Sequence, residues 1–258
     1  MPAFLIVVAG VYGLIIGSFI NAWAFRLVRG ERITAGRSQC PHCHAQIRGY
    51  DNIPVVSWLV LRGRCRDCGA PISWRYPVGE ALAGALFAGV AVMDGVSWLL
   101  VPHLLFVSAL LLVSQVDLEE RIIPDIVILP AAAVGVPLMI AFGASPWWQW
   151  PVAGVAAAGF LFIVREVYYR VRHVEGMGFG DVKLALCMGV YLGAAVIPAL
   201  FIGFMAGAAV GVVIMAARKG DAKTAVPFGP FLAAGAIVAL FAGGALIGAY
   251  LGLVLPSR

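Results

Sequence analysis

The sequence predicts an all-α polytopic membrane protein with about eight transmembrane helices and a small cytoplasmic insert. Of its 258 residues, 62% are hydrophobic and only 12% are charged, whereas soluble domains carry about 25% charged residues. The apolar residues form long unbroken runs, unlike the alternating apolar and polar residues of membrane barrels. A soluble globule and a disordered chain are therefore both excluded.

Eight helices follow from the stretches of sequence that lack charged residues. These stretches are 3–25, 81–93, 95–116, 126–164, 184–217 and 224–257. A membrane span needs about 20 apolar residues, so two of the stretches are long enough for two helices each. The first of these divides near residues 142–146 and the second between Gly193 and Pro198. The N-terminal stretch lacks the basic start and cleavage site of a signal peptide, so we expect it to be retained.

The distribution of basic residues predicts the orientation in the membrane. Of the 18 lysines and arginines, 17 lie in alternate connections, which places them on one side. The positive-inside rule makes that side the cytoplasm and puts both termini outside. Because topology accounts for the net charge of +5, we expect membrane lipids as neighbours and no nucleic acid partner.

Four of the five cysteines form two C-x2-C pairs, Cys40 with Cys43 and Cys65 with Cys68. Two such pairs can present four thiolates tetrahedrally, as zinc prefers. Cytoplasmic thiols stay reduced, so a metal is favoured over disulfides. The spacing thus predicts a structural zinc knuckle, with two redox pairs or a regulatory thiol cluster as the alternatives.

The polar, arginine-containing segment around these cysteines predicts the organisation of the chain. We expect a first transmembrane helix at 1–28, a metal-binding cytoplasmic insert at 29–76 and a transmembrane bundle at 77–258. An insert of this size lacks a hydrophobic core of its own, so metal binding would supply folding energy.

Aspartates stand at the predicted cytoplasmic ends of two helices, where Asp117 ends the third and Asp181 begins the sixth. A carboxylate near the hydrocarbon layer is costly, so such residues tend to face a bundle interior or a water-filled cavity. Asp181 could instead cap its helix, and we expect Asp125, which follows Pro124, to be a cap of this kind. That alternative is weaker for Asp117, since an acid at a helix C-terminus opposes the helix dipole.

Three glycines, Gly176, Gly178 and Gly180, directly precede Asp181. They would let the backbone bend sharply or approach a peptide closely. Two adjacent carboxylates share one proton. The ionised one can take a proton from water while the protonated one polarises a peptide carbonyl, which is hydrolysis without a metal or a covalent intermediate. A proton-relaying transporter and a scaffold whose insert docks a cytoplasmic partner remain alternatives.

The chain resembles the bacterial type IV prepilin leader peptidases, a family of GxGD-type membrane aspartic proteases. The resemblance covers most of the chain as an ordered series of motifs. These are Gly17-Ser18-Phe19-Ile20-Asn21, Cys40-Pro41-x-Cys43, Arg62-Gly63-Arg64-Cys65-Arg66-x-Cys68, Ile123-Pro124-Asp125, Gly176-Met177-Gly178-x-Gly180-Asp181 and Pro227-Phe228-Gly229-Pro230-Phe231.

The resemblance implies that Asp117 and Asp181 are the catalytic pair. It implies cleavage, after a glycine, of the short basic leaders of type IV prepilins and type II secretion pseudopilins. The site would face the cytoplasm from the bacterial inner membrane. Relatives with the cysteine insert generally also methylate the new N-terminal amine with S-adenosylmethionine; the alternative is a peptidase alone, with a purely structural insert.

The resemblance assigns no residue of this chain to the methyl donor. The candidates are the insert and its neighbours Asn21, Arg75, Tyr76 and Glu80. For Glu80, an ion pair with Arg75 or another loop arginine is the alternative.

Overall fold

The computed structural model describes residues 2–34, 36–174, 176–217 and 227–254. Its regular structure in these ranges is helical, apart from isolated β-bridges at Gln39–Gln46 and Arg64–Pro71. The helices are α1 (Pro2–Val28), α2 (Val56–Val60), α3 (Arg75–Asp94), α4 (Leu100–Glu120), α5 (Asp125–Phe142), α6 (Gln149–Arg172), α7 (Phe179–Leu192), α8 (Val196–Ala217) and α9 (Gly229–Val254). The predicted all-α class is confirmed.

Seven helical stretches of the described residues are long and apolar enough to span a membrane. The longest, Phe179–Ala216, has 38 residues and contains both α7 and α8, which a 3-10 turn at Gly193–Ala195 separates. Gly193 has a φ of 55°, a conformation that side chains disfavour. The division predicted at this glycine is therefore confirmed, and the long helices within the described ranges number eight; α2 is a short helix of the insert.

Close contact between α1 and α3 organises the first compact unit, residues 1–116. Small residues at the contact let the two backbones approach. A Cβ atom at Gly13 would lie 2.6 Å from the carbonyl oxygen of Ala83, and one at Gly17 would lie 2.8 Å from the Cα atom of Glu80. Glycine is thus needed at both positions, and the contact holds Glu80 against α1.

Two loops of the same shape carry the cysteine pairs in this unit. In each loop, the N–H of the first cysteine donates to the carbonyl five residues later, and the N–H four residues later donates back, at 2.8–3.0 Å. The residues at that fourth position, His44 and Gly69, have φ values of 59° and 71°. The insert therefore contains two copies of one knuckle.

Helix α7 forms the core of the second compact unit, residues 117–258. It is buried on all sides along most of its length, including Cys187, as expected for a helix enclosed by others. Helices α5, α6 and α9 pack around it. The hydroxyl of Tyr191 donates to the carbonyl of Ala131 at 2.8 Å, and a Cβ atom at Gly189 would collide with Ala153 of α6. These contacts fix the position of α7, whose first turn carries Asp181.

Candidate active site and metal centre

Asp117 lies in the last turn of α4 and is only 5% exposed. Its Oδ2 atom accepts a hydrogen bond of 2.9 Å from the backbone N–H of Gly229, the first residue of α9. A helix N-terminus favours negative charge. The start of α9 therefore offsets the unfavourable dipole of the helix that Asp117 itself ends. The sequence analysis did not single out Gly229 as a site residue, although prolines on both sides mark it as a special position.

If Asp117 is catalytic, as expected from the sequence, Gly229→Ala should lower the rate of peptide cleavage by about 10²-fold, since small misplacements of catalytic groups cost this much. A Cβ atom there would lie 2.8 Å from Oδ2 of Asp117, so the carboxylate would have to move. The matched control is Gly248→Ala on the same helix, where no atom lies within 4 Å of the added carbon. Both variants gain helix propensity, so equal rates in peptide-cleavage assays would contradict the placement of Asp117.

Asp181 is the third residue of α7 and is 7% exposed. The residue at the cap position is Gly178, so Asp181 is not the cap that the alternative interpretation expected. The backbone N–H of Gly178 interacts with the Asp181 carboxylate, as an acid at this position does in a capping box. The carboxylate also interacts electrostatically with Asp117. The two aspartates, 64 positions apart in the sequence, are thus brought together.

Of the three glycines before Asp181, Gly176 and Gly180 serve close packing. None of the three has a positive φ, so they do not provide a left-handed bend. A Cβ atom at Gly176 would collide with the ring of Tyr168, and one at Gly180 would lie 2.8 Å from the Cβ atom of Ile123. Because Ile123 lies between α4 and α5, this last contact joins the segment after Asp117 to the turn that carries Asp181.

Two cationic side chains stabilise the segment before Asp181 and the first turn of α7. The Nε atom of Arg165 donates to the carbonyl of Met177 at 3.2 Å, which fixes the glycine-containing segment. The Nζ atom of Lys183 lies 2.6 and 2.7 Å from the two carboxylate oxygens of Asp125. Asp125 makes no capping hydrogen bond, so the expectation that it caps α5 is wrong: it forms an ion pair with α7.

The four cysteines of the knuckles converge on one point. Their sulfur atoms all lie within 4.8 Å of one another, and the sulfurs of Cys40 and Cys68 are 3.8 Å apart. Tetrahedral zinc with bonds of about 2.3 Å would hold its sulfurs about 3.8 Å apart. All five cysteines of the chain are free thiols. The donor set and its spacing therefore fit a four-thiolate metal ion.

Hydrogen bonds set the charge state around this centre. The backbone N–H groups of Cys43 and His42 lower the pKa of the Cys40 thiol from 9.0 to about 6, which stabilises a thiolate at this position. The guanidinium of Arg66 donates to both oxygens of Asp51 at 2.6–3.1 Å. This bidentate contact lowers the pKa of Asp51 and links the second knuckle to the 3-10 turn at Gly49–Asn52.

A cavity of about 640 Å³ lies in the first unit among α1, the insert and the start of α3. Asn21, Ser57 and Glu80 line it and are all buried. The Nδ2 atom of Asn21 donates to the carbonyl of Tyr76 at 3.0 Å. Glu80 does not pair with Arg75; its Oε2 atom accepts a hydrogen bond of 2.7 Å from the N–H of Val55.

Comparisons with known proteins cover both compact units. Residues 11–93 match the bacterial peptidase A24 N-terminal domain, and residues 104–212 match the type IV leader peptidase family. A prepilin leader peptidase/N-methyltransferase of Burkholderia pseudomallei (strain K96243) is 35% identical over 231 residues, or 79% of this chain and 74% of that protein. One from Neisseria gonorrhoeae is 31% identical over 84% of this chain and 85% of its own length.

A third relative has a longer chain. The prepilin leader peptidase/N-methyltransferase of Myxococcus xanthus (strain DK1622) is 37% identical over 80% of this chain, which spans 62% of that protein's length. No solved structure is significantly similar to the chain.

Proposed function

Since the chain belongs to the prepilin leader peptidase/N-methyltransferase family, we propose that it cleaves the short basic leader of type IV prepilins and type II secretion pseudopilins and then methylates the new N-terminal amine. The chain is a multi-pass membrane protein. The observation that carries the proposal is the pair of buried, electrostatically interacting carboxylates, Asp117 and Asp181.

Peptide hydrolysis follows from the chemistry of such a pair. Two adjacent carboxylates hold one proton between them, because ionising both is costly. The ionised carboxylate takes a proton from water, and the water oxygen bonds to the carbonyl carbon of the leader's last glycine. The protonated carboxylate donates a hydrogen bond to the carbonyl oxygen. The C–N bond then breaks as the departing amine accepts the proton that the first carboxylate took from water.

The surroundings suit an extended peptide at the edge of the membrane. Of the three glycines before Asp181, Gly178 has space beside it, since an added Cβ atom would have no neighbour closer than 3.5 Å. A substrate backbone can therefore approach the chain at this position. Both aspartates lie in the terminal turns of their helices, and proton-relaying sites in transporters usually lie near the bilayer midplane. With 17 of 18 basic residues on the predicted inner side, the site faces the cytoplasm from the bacterial inner membrane, where a basic leader remains.

The insert at 29–76 serves the second reaction in this proposal. Zinc bound by Cys40, Cys43, Cys65 and Cys68 is structural, because four thiolates fill its tetrahedral shell. S-adenosylmethionine, when bound, supplies an electrophilic methyl group to the new amine. The amine must be unprotonated to react, so the chain has to bind it away from strong acids.

The test is cleavage of a purified type IV prepilin by the purified full chain in detergent, followed by mass spectrometry of the product. We expect a product that is shorter by its leader and, with S-adenosylmethionine present, heavier by one methylene. An intact prepilin would overturn the peptidase proposal. A cleaved product that never gains mass would leave a peptidase with a structural insert.

A further inference from the structure

The cavity among α1, the insert and α3 has the volume of a cofactor site, since such sites measure about 300–1,000 Å³. Six polar or charged residues are buried in the described parts of the chain, and three of them line this cavity. Burying polar groups costs free energy unless they have partners. Each of the three has a hydrogen-bond partner in the protein, and together they make this wall of the cavity polar.

Glu80 indicates the charge of the ligand that such a cavity would take. Its side chain is buried, and no ion pair to it is present within the described ranges. Four arginines also line the cavity, and none of them forms an ion pair with Glu80 in the part of the chain that the structure describes. Arg26 binds backbone carbonyls, Arg66 binds Asp51, Arg29 lies 4.0 Å over the ring of Phe25, and Arg37 is exposed. A buried carboxylate without a cation is costly, so a cationic ligand in the cavity would relieve that cost.

The backbone at Val55 is strained in the conformation that orients the Glu80 carboxylate. Val55 has φ 61° and ψ −49°, which is a genuine outlier for a β-branched residue. It forms the centre of a γ-turn in which the N–H of Val56 donates to the carbonyl of Pro54 at 2.6 Å. The turn aims the N–H of Val55 at Glu80. Strain of this kind persists where function requires it.

Aromatic side chains complete a site for an onium ion. Trp58 and Tyr76 line the cavity, and aromatic faces attract cations that carry methyl groups. The ring of Trp58 is fixed by a hydrogen bond of 3.1 Å from its Nε1 atom to the carbonyl of Ile72. A sulfonium ion combines a positive charge with apolar substituents, so it suits both the carboxylate and the rings.

We propose that this cavity is the methyl-donor site and that Glu80 selects the cationic sulfonium of S-adenosylmethionine over the neutral thioether left after transfer. The inference rests on the proposed methyltransferase function and goes further, because it assigns the site and a charge-selecting residue. Selection of this kind would also favour release of the spent donor.

The test compares the binding of two probes, S-adenosylmethionine and S-adenosylhomocysteine, to the purified full chain by equilibrium dialysis. Glu80→Gln keeps an oxygen that can accept from Val55 and removes the charge. We expect its Kd for S-adenosylmethionine to rise about tenfold, as for loss of a charged hydrogen bond. Its Kd for S-adenosylhomocysteine should change by less than about threefold, because that ligand has no charge at sulfur.

Two further variants and a folding check make the result decisive. Glu120→Gln is the control, because it makes the same chemical change on an exposed side chain that is not part of the cavity lining; both Kd values should stay unchanged. Ala22→Phe narrows the cavity from α1 and should raise both. Bound zinc and prepilin cleavage report folding.

Equal losses for both probes in Glu80→Gln would overturn charge selection, and normal binding by Ala22→Phe would overturn the site. A wild-type chain that cleaves prepilin but binds neither probe would overturn the methyltransferase half of the proposed function as well.

Discussion

Asp181→Asn is expected to abolish prepilin cleavage, with the rate falling by at least about 10³-fold. The amide cannot take a proton from water or hold the proton that the pair shares. Asparagine has nearly the size of aspartate, and its amide oxygen can still interact with the N–H of Gly178. Asp117→Asn should lower the rate equally, because it also removes an ionisable group from the pair. It keeps an oxygen that can accept from the N–H of Gly229, so the local structure should be retained.

The measurement is the initial rate of leader removal from purified prepilin, at equal amounts of folded protein. Glu120→Gln is the matched control. It makes the same chemical change three residues from Asp117, on a side chain that is exposed at the end of α4, and we expect a normal rate. Cleavage at the wild-type rate by either aspartate variant would remove that residue from the reaction.

The second largest expected effect is unfolding of the insert when its metal site is removed. Structural zinc sites supply about 10–16 kcal/mol of apparent binding free energy to small domains. Replacing Cys40 and Cys65 by serine should therefore unfold the knuckles, which carry much of the cavity lining. We expect loss of bound zinc and of S-adenosylmethionine binding. Leader cleavage should continue, because both aspartates belong to the other compact unit.

Elemental analysis would measure the bound metal, and the rate of proteolysis within the insert at 29–76 would report its unfolding. Cys187→Ala is the control, since Cys187 is buried in α7 outside the cluster, and its zinc content should equal that of the wild type. A double cysteine variant that keeps its zinc would contradict the four-thiolate centre. One that loses zinc yet binds S-adenosylmethionine normally would show that the insert is not needed for the donor.

Local sequence patterns predict most of the architecture. Long apolar stretches of the sequence predict the helices. Interruptions of these stretches predict where the helices end, as at Gly193, whose positive φ separates α7 from α8. The C-x2-C spacing predicts the two knuckles, because four ligands at fixed intervals leave few arrangements. In each case the determining residues are close together in the sequence.

Features that depend on distant residues are not predictable in the same way. The partner of Asp117 is the N–H of Gly229, 112 positions later, and the hydrogen bond uses backbone atoms that carry no sequence signature. Asp125 has the position of a helix cap, yet it pairs with Lys183 on α7, because a cation within reach outcompetes a local turn. Glu80 likewise finds the N–H of Val55 instead of an arginine.

The pH dependence of kcat/KM for leader cleavage tests the two-aspartate mechanism most directly. Only the form with one carboxylate ionised and the other protonated is active, so the wild type should show a bell-shaped profile. Activity should fall on the acid side as both carboxylates take protons and on the alkaline side as both lose them. Glu120→Gln should keep both limbs. A profile with a single limb, or a rate independent of pH, would contradict a shared proton between Asp117 and Asp181.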